Sequence, residues 1–255
     1  MYSVGFVLSG GGARGFTHLG VIEALDEMGI KPDIISGVSA GSIVGAFIAK
    51  NYKPIEILDI IVKNKFIYYF RPVWKGMGFL EMNNMVTFCK KYFPEDNFKD
   101  LSVPLIVTAT DIINCESIFF SKGELIRPLM ASSSIPLVFN PMEINNTLLA
   151  DGGILNNFPV EPLKGKCKKI IGLHCNKLDN LIRSNSKMAI IERSFHIAVF
   201  NTVKSKIKQC DVFIEPADSG HYSMFDISNA QKLFDIGYDF TMNMRKEIEK
   251  KIVAG

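Results

Sequence analysis

Short apolar runs rich in β-branched residues alternate along the chain with longer stretches in which apolar positions recur every three or four residues. The first pattern fits strands buried on both faces, and the second fits helices with one covered side. Residues 4–9, 33–36, 105–111, 116–121, 147–150, 169–174 and 212–215 read as strands. Helices are predicted over about 15–28, 42–50, 54–64, 81–93, 126–132, 187–208 and 229–253. In the first of these, Leu19, Ile22, Leu25 and Met28 form a stripe, and Gly29 followed by Pro32 supplies a stop. Helix 42–50 is built of small and apolar residues that would let it lie close to a sheet. Strands and helices in turn predict an α/β fold of three layers, α/β/α, with a mostly parallel central sheet. No repeat, charge block or Ser/Gly-rich linker divides the chain. Residues 1–255 are therefore expected to form one domain, with a motif-bearing core at about 4–160 that residues 161–255 complete.

Composition narrows the function more than the fold. With 47% hydrophobic and 22% charged residues, the chain can build a sizeable core and is not a disordered polymer. A net charge of +3, from 29 basic and 26 acidic side chains, is too mild and too evenly spread to suggest a nucleic-acid partner. No apolar run approaches the roughly 18–20 residues of a membrane span, and the N-terminus reads as a strand, not a signal peptide. The five cysteines are odd in number and lack a C-x-x-C pair, which argues against a disulfide framework or a zinc site. Each is expected to be a buried, inert thiol in a reducing cytoplasm. No EF-hand loop or H-E-x-x-H occurs, so no metal and no cofactor are expected.

Three glycine-rich sites carry the candidate chemistry. Gly10-Gly11-Gly12-Ala13-Arg14-Gly15 follows the first strand and opens a helix, formally a dinucleotide fingerprint. That reading needs a carboxylate at the end of the second strand, which instead ends in Ser36-Gly37-Val38-Ser39; Asp33 lies at its start. What remains is a nest of amides at a helix N-terminus, suited to a phosphate or to the oxyanion of an acyl intermediate, with Arg14 nearby. Gly37-Val38-Ser39-Ala40-Gly41 is a G-x-S-x-G where a short strand turns into the small-residue helix. Such an elbow exposes a serine Oγ, which becomes a nucleophile only when a base takes its proton. Asp151-Gly152-Gly153 follows a further strand, on what should be the same edge of a parallel sheet. A buried Asp151 bonded to Ser39 would be a stronger base than an exposed one.

In this order the motifs resemble those of the patatin-like phospholipases: an oxyanion loop, a nucleophile elbow and a D-G-[AG] aspartate. Gly153 stands where many members carry alanine. The block Ala131-Ser132-Ser133-Ser134-Ile135-Pro136 and the tail Asn156-Asn157-Phe158-Pro159-Val160 look like family blocks as well. The likeness covers about residues 4–160, and 215–227 also looks familiar. It implies a catalytic Ser39–Asp151 dyad, with Asp151 taking the Ser39 proton and later activating water. The amides of Gly10, Gly11 and Gly12 would form the oxyanion hole beside Arg14, and Gly37 and Gly41 would shape the elbow. The expected substrate is a phospholipid, lysophospholipid or other acyl ester, hydrolysed without calcium.

Other readings remain beside it. His174 and His221 follow the serine and the aspartate, so either is eligible as the third member of a Ser–Asp–His triad; His18 precedes the serine, and His196 lies in a helical pattern. Acyl-Ser39 could pass its acyl group to an alcohol acceptor, or the chain could bind acyl lipids without turnover. The segment from Ile67 to Phe79 holds five aromatic residues with Arg71 and Lys75 among them, a composition for peripheral membrane contact or a lid. Such a protein would be cytoplasmic and at most peripheral to a membrane. Oligomeric state is not legible in the sequence.

Overall fold

The computed structural model describes residues 1–63, 71–72, 80–81, 83–177 and 187–252. Its scaffold follows from the alternation of side chains along β1 (Tyr2–Leu8). Phe6 and Leu8 enter one apolar cluster and Val7 another, each fully buried, so the sheet is covered on both faces. The larger cluster draws on α1 (Phe16–Glu27), α2 (Ala40–Ala49), α3 (Pro54–Lys63), α4 (Asn83–Tyr92) and α5 (Ile126–Ser132). The opposite face is closed by Phe158, Val160 and Leu163, with Val203 from α7 (Lys187–Lys204). This is the expected three-layer architecture.

The central strands are parallel. β2 (Ile34–Val38) and β9 (Cys167–Leu173) flank β1, β5 (Leu105–Asp111) lies beyond β2, and β10 (Val212–Ile214) lies beyond β9. β6 (Glu116–Phe120) returns antiparallel along β5. A small hairpin of β3 (Arg71–Pro72) and β4 (Leu80–Glu81) stands apart from this sheet.

One expectation is corrected here. β8 (Thr147–Asp151) does not join the parallel set: it runs antiparallel to β5 and pairs in turn with β7 (Met142–Ile144), a short strand the sequence pattern does not reveal. Val107 and Thr108 pair with β2 on one side and with β6 on the other, and Ala109 through Asp111 also pair with β6. β8, which bonds Ala109 through Asp111, must therefore share β2's edge of β5. Val38 is registered with Thr108 and Asp151 with Ala109, so the two strands run toward each other and meet end to end at consecutive positions of one rail.

Other differences are local. α1 is buried around most of its circumference because α8 (Ala230–Asn243) lies across it, with Tyr238 Oη donating to Glu27. The expected C-terminal helix breaks at Met244 into α8 and α9 (Arg245–Ile252). Thr241 Oγ1 donates back to the Gly237 carbonyl, and the Met244 amide is shared between the Phe240 and Thr241 carbonyls, which tightens and bends that turn. Helix α7 stops at Lys204, four residues short, and a 3-10 turn at Ile207–Gln209 follows. All five cysteines are free, but only Cys89 and Cys175 are buried; Cys115 is exposed in the turn joining β5 to β6, where it adopts φ 57°. Among the described residues no helix is long and apolar enough to cross a membrane. The aromatic segment from Ile67 to Phe79 lies outside the described residues, Arg71 and Pro72 excepted.

Candidate active site

Ser39 sits between β2 and α2 with φ 52° and ψ −128°, a conformation a residue with a Cβ adopts only under strain. The surroundings hold it there. Its amide donates to Ser132 Oγ (2.8 Å), whose hydroxyl donates to the Thr108 carbonyl (2.6 Å), and its carbonyl accepts from Ser42 Oγ (2.7 Å). Helix α2 can start so close to the end of β1 because Gly41 has no side chain: a Cβ there would lie 2.5 Å from both the Leu8 and Ser9 carbonyl oxygens.

The strained turn points Oγ at the end of β8. Ser39 Oγ donates to Asp151 Oδ2 at 2.7 Å across 112 positions of sequence, and Asp151 Oδ1 accepts from the Gly153 amide, also at 2.7 Å. Thr110 Oγ1 donates to the Asp151 carbonyl, and the Asp151 amide donates to the Ser134 carbonyl, so the residue is tied down on both sides. Ser39 is 5% and Asp151 2% exposed. Burial pushes the Asp151 carboxyl up to about 7; the hydrogen bonds from Ser39 and Gly153 oppose the shift without cancelling it.

Gly10 lies against Ser39: a Cβ on it would fall 3.0 Å from Ser39 Cβ. Gly10 and Gly11 are buried, and among the described residues the amides of Gly10, Gly11 and Gly12 have no acceptor. Unpaired buried donors are costly, and here they fall at the start of a helical turn, Gly12–Gly15. The loop's carbonyl side is braced instead. Asn176 Nδ2 and Cys175 Sγ both reach the Gly10 carbonyl, and Cys175 Sγ contacts Ser9 Oγ.

Arg14 is adjacent in sequence, but its guanidinium faces away from solvent into a buried network. Nε donates to the Tyr222 carbonyl (2.7 Å), Nη2 pairs with Glu192 (3.2 Å), and Nη1 reaches Asn176 Oδ1 and the His196 ring. Glu192 in turn accepts from the Met224 amide and Ser223 Oγ, while the Met224 carbonyl accepts from the Ala13 amide. Arg14 thus anchors the glycine loop to the C-terminal part of the chain.

The histidines stand elsewhere. His174 Nδ1 bonds Glu215 (2.8 Å) and its ring stacks on Phe213; His221 is exposed beside Asp218; His18 is buried against the Ser9 carbonyl, its pKa lowered by desolvation to about 4. Among the described residues none bonds Ser39. Asp33, just before β2, accepts from the amides of Ser3 and Val4 at the far end of the sheet, away from the glycine loop. Sequence reasoning singled out neither Ser132 nor Glu192 for a role. Ser132 lay inside a recognised block with no part assigned to it, and Glu192 carries no local signature.

Chemically the arrangement is a serine hydroxyl hydrogen-bonded to a buried carboxylate of raised basicity, beneath a cluster of free amides. A model of the patatin-like phospholipases matches residues 6–164. The lysophospholipase NTE1 of Saccharomyces cerevisiae is 32% identical over 190 residues, 70% of this chain and 11% of that protein. NTE1 of Kluyveromyces lactis is 28% identical over 295 aligned residues, covering 99% of this chain and 20% of its own length. An NTE family protein of Mycobacterium tuberculosis is 32% identical over 164 residues, 64% of this chain and 46% of that protein. The chain thus spans less than half the length of these relatives. In fold it is similar to VipD from Legionella pneumophila, with a TM-score of 0.56 at 15% identity over 97% of this chain and 67% of that one.

Proposed function

This chain belongs to the patatin-like phospholipase family, and from that premise we propose that it is a serine lipid acyl hydrolase working through a Ser39–Asp151 dyad. The observation that carries the reading is the 2.7 Å hydrogen bond from Ser39 Oγ to a buried carboxylate that holds its proton up to about pH 7. Its basicity is matched to a general base at neutral pH. Ser39 Oγ attacks the ester carbonyl as its proton passes to Asp151 Oδ2. The carbonyl oxygen becomes an oxyanion against the amides of Gly10, Gly11 and Gly12, held in place through Arg14 and its partner Glu192. Collapse breaks the ester C–O bond, and the leaving alcohol takes the proton from Asp151. Asp151 then deprotonates a water that attacks acyl-Ser39, releasing the carboxylic acid and returning the proton to Ser39. The substrate is an acyl ester of a phospholipid, lysophospholipid or glyceride, and residues 1–255 act as one domain.

The test is labelling with a fluorophosphonate probe, with the adduct located by peptide mapping. Wild type should carry one adduct, on Ser39; Ser39→Ala should carry none while melting within a few degrees of wild type. Asp151→Asn should react about 10²–10⁴-fold more slowly. Undiminished labelling of Asp151→Asn would sink the dyad. Product analysis with added glycerol separates hydrolysis, which yields only free acid, from acyl transfer.

A further inference from the structure

Asn157 lies one helical turn beyond Gly153, after the short helix α6 (Gly153–Asn156) that follows the aspartate. Its backbone is fixed, the amide donating to Thr202 Oγ1 on α7. Its side chain is 3% exposed and wedged between the two halves of the site. A Cβ on Gly10 would lie 2.5 Å from Asn157 Oδ1 and 3.0 Å from Ser39 Cβ. A Cβ on Gly153 would lie 2.7 Å from the same Oδ1 and 2.9 Å from Asp151 Oδ1. The Asn157 amide therefore borders the glycine loop, Ser39 and Asp151 together. Among the described residues neither of its polar atoms makes a hydrogen bond. Although the residue as a whole is buried, its amide atoms are not sealed from solvent, so the unbonded amide is open to an incoming group. Asn156, its neighbour in sequence, is bonded in the usual way to Glu161 and Lys206.

The unmet hydrogen-bonding capacity sits where an ester carbonyl must enter to meet Ser39. We propose that Asn157 is a catalytic residue whose side-chain amide donates to the ester carbonyl oxygen as it becomes an oxyanion, adding a side-chain donor to the amides of Gly10, Gly11 and Gly12. Oδ1 lies against Gly10 and Gly153, and the Nδ2 protons make no hydrogen bond among the described residues, so they are available to the substrate. A donor of this kind acts mainly on the transition state, because only there does the oxygen carry a full charge. The assignment rests on the hydrolase reading of the same site.

The experiment compares wild type with Asn157→Ala and with Asn157→Leu, which keeps the branched shape without polar atoms. Each is assayed on a p-nitrophenyl acyl ester and against two inhibitors, an alkyl trifluoromethyl ketone and the matching non-reacting ether. Addition of Ser39 to the ketone makes a tetrahedral oxyanion; the ether reports ground-state binding alone. We expect kcat to fall roughly 10²–10³-fold with KM near wild type. The ketone inhibition constant should rise by a similar factor, and ether binding should be unchanged. Activity within threefold of wild type in either folded variant would overturn the assignment. So would a loss of activity with undiminished ketone affinity, the mark of a purely structural role. A folded wild type that neither hydrolyses the ester nor takes up a fluorophosphonate would overturn the hydrolase reading first and this assignment with it.

Discussion

At the scale of single residues, two groups at the site are held in states that a free peptide would not choose. Asp151 is a carboxyl whose proton affinity is raised in the folded protein, from 3.8 to about 7, because burial disfavours its charge. The folded state therefore binds this proton more tightly than the unfolded one. The associated stability is fully present below about pH 4 and is lost as pH rises through about 7. Asp151→Asn, which cannot ionise, should melt several degrees above wild type at pH 8, with a much smaller difference at pH 5; a thermal scan at both values checks it. In the proposed mechanism the same titration sets the rate. The base form of Asp151 accumulates above about pH 7, so kcat/KM should rise through that pH and then level off, and a profile flat between pH 5 and 9 would speak against Asp151 as base. Ser39 is strained at φ 52°, a cost of order 1–3 kcal/mol that glycine would not bear. Ser39→Gly should therefore melt above Ser39→Ala, although glycine loses more chain entropy on folding.

At the scale of elements, helix α7 acts on the glycine loop from outside the span that the family model matches. Glu192 holds Arg14, Ser223 and the Met224 amide at once, with the Arg14 and Glu192 side chains 5% and 13% exposed. Removing Glu192 takes the carboxylate from the buried Arg14 while its bonds to Tyr222, Asn176 and His196 remain, at a cost of about 3 kcal/mol, the low end for a buried pair. Glu192→Ala should lower the free energy of unfolding by that amount and slow Ser39 labelling; Glu192→Gln, which still accepts hydrogen bonds, should recover part of both. The elements also mark what a sequence pattern can and cannot disclose. Helices α1, α2, α3 and α5 were legible because their apolar spacing and stops are local, and Leu105–Asp111 was legible as a run of buried residues. The direction of β8 was not. Its few alternating residues fit either direction, and pairing is decided by the β7 hairpin and by the vacant half of β5's edge. Ser39 and Asp151 each sit on a recognisable motif, whereas Glu192 is one acidic residue in a helix and signals nothing until Arg14 is seen against it.

At the scale of the whole molecule, the matched span of residues 6–164 is not a closed structure. β1 needs β9 along its free edge, and α1 needs α8 across its outer side. A chain ending at Lys164 would uncover the edge of β1 that β9 pairs, and Thr17, Gly20 and Val21, where α8 packs closely on α1, all three buried in the complete protein. It should lack a cooperative unfolding transition and fail to label at Ser39; circular dichroism and the fluorophosphonate probe would show both. The meeting of β2 and β8 on one rail bears on how this architecture can change over generations. The spacing of Ser39 and Asp151 is set by two neighbouring positions of β5, Thr108 and Ala109. Most of the chain between α2 and β5 contributes nothing to that interval. Provided the core residues of α3 and α4 are kept, the rest of that stretch can lengthen, shorten or change in character while Ser39 and Asp151 keep their distance, so the surroundings of the pair and the pair itself are free to diversify separately.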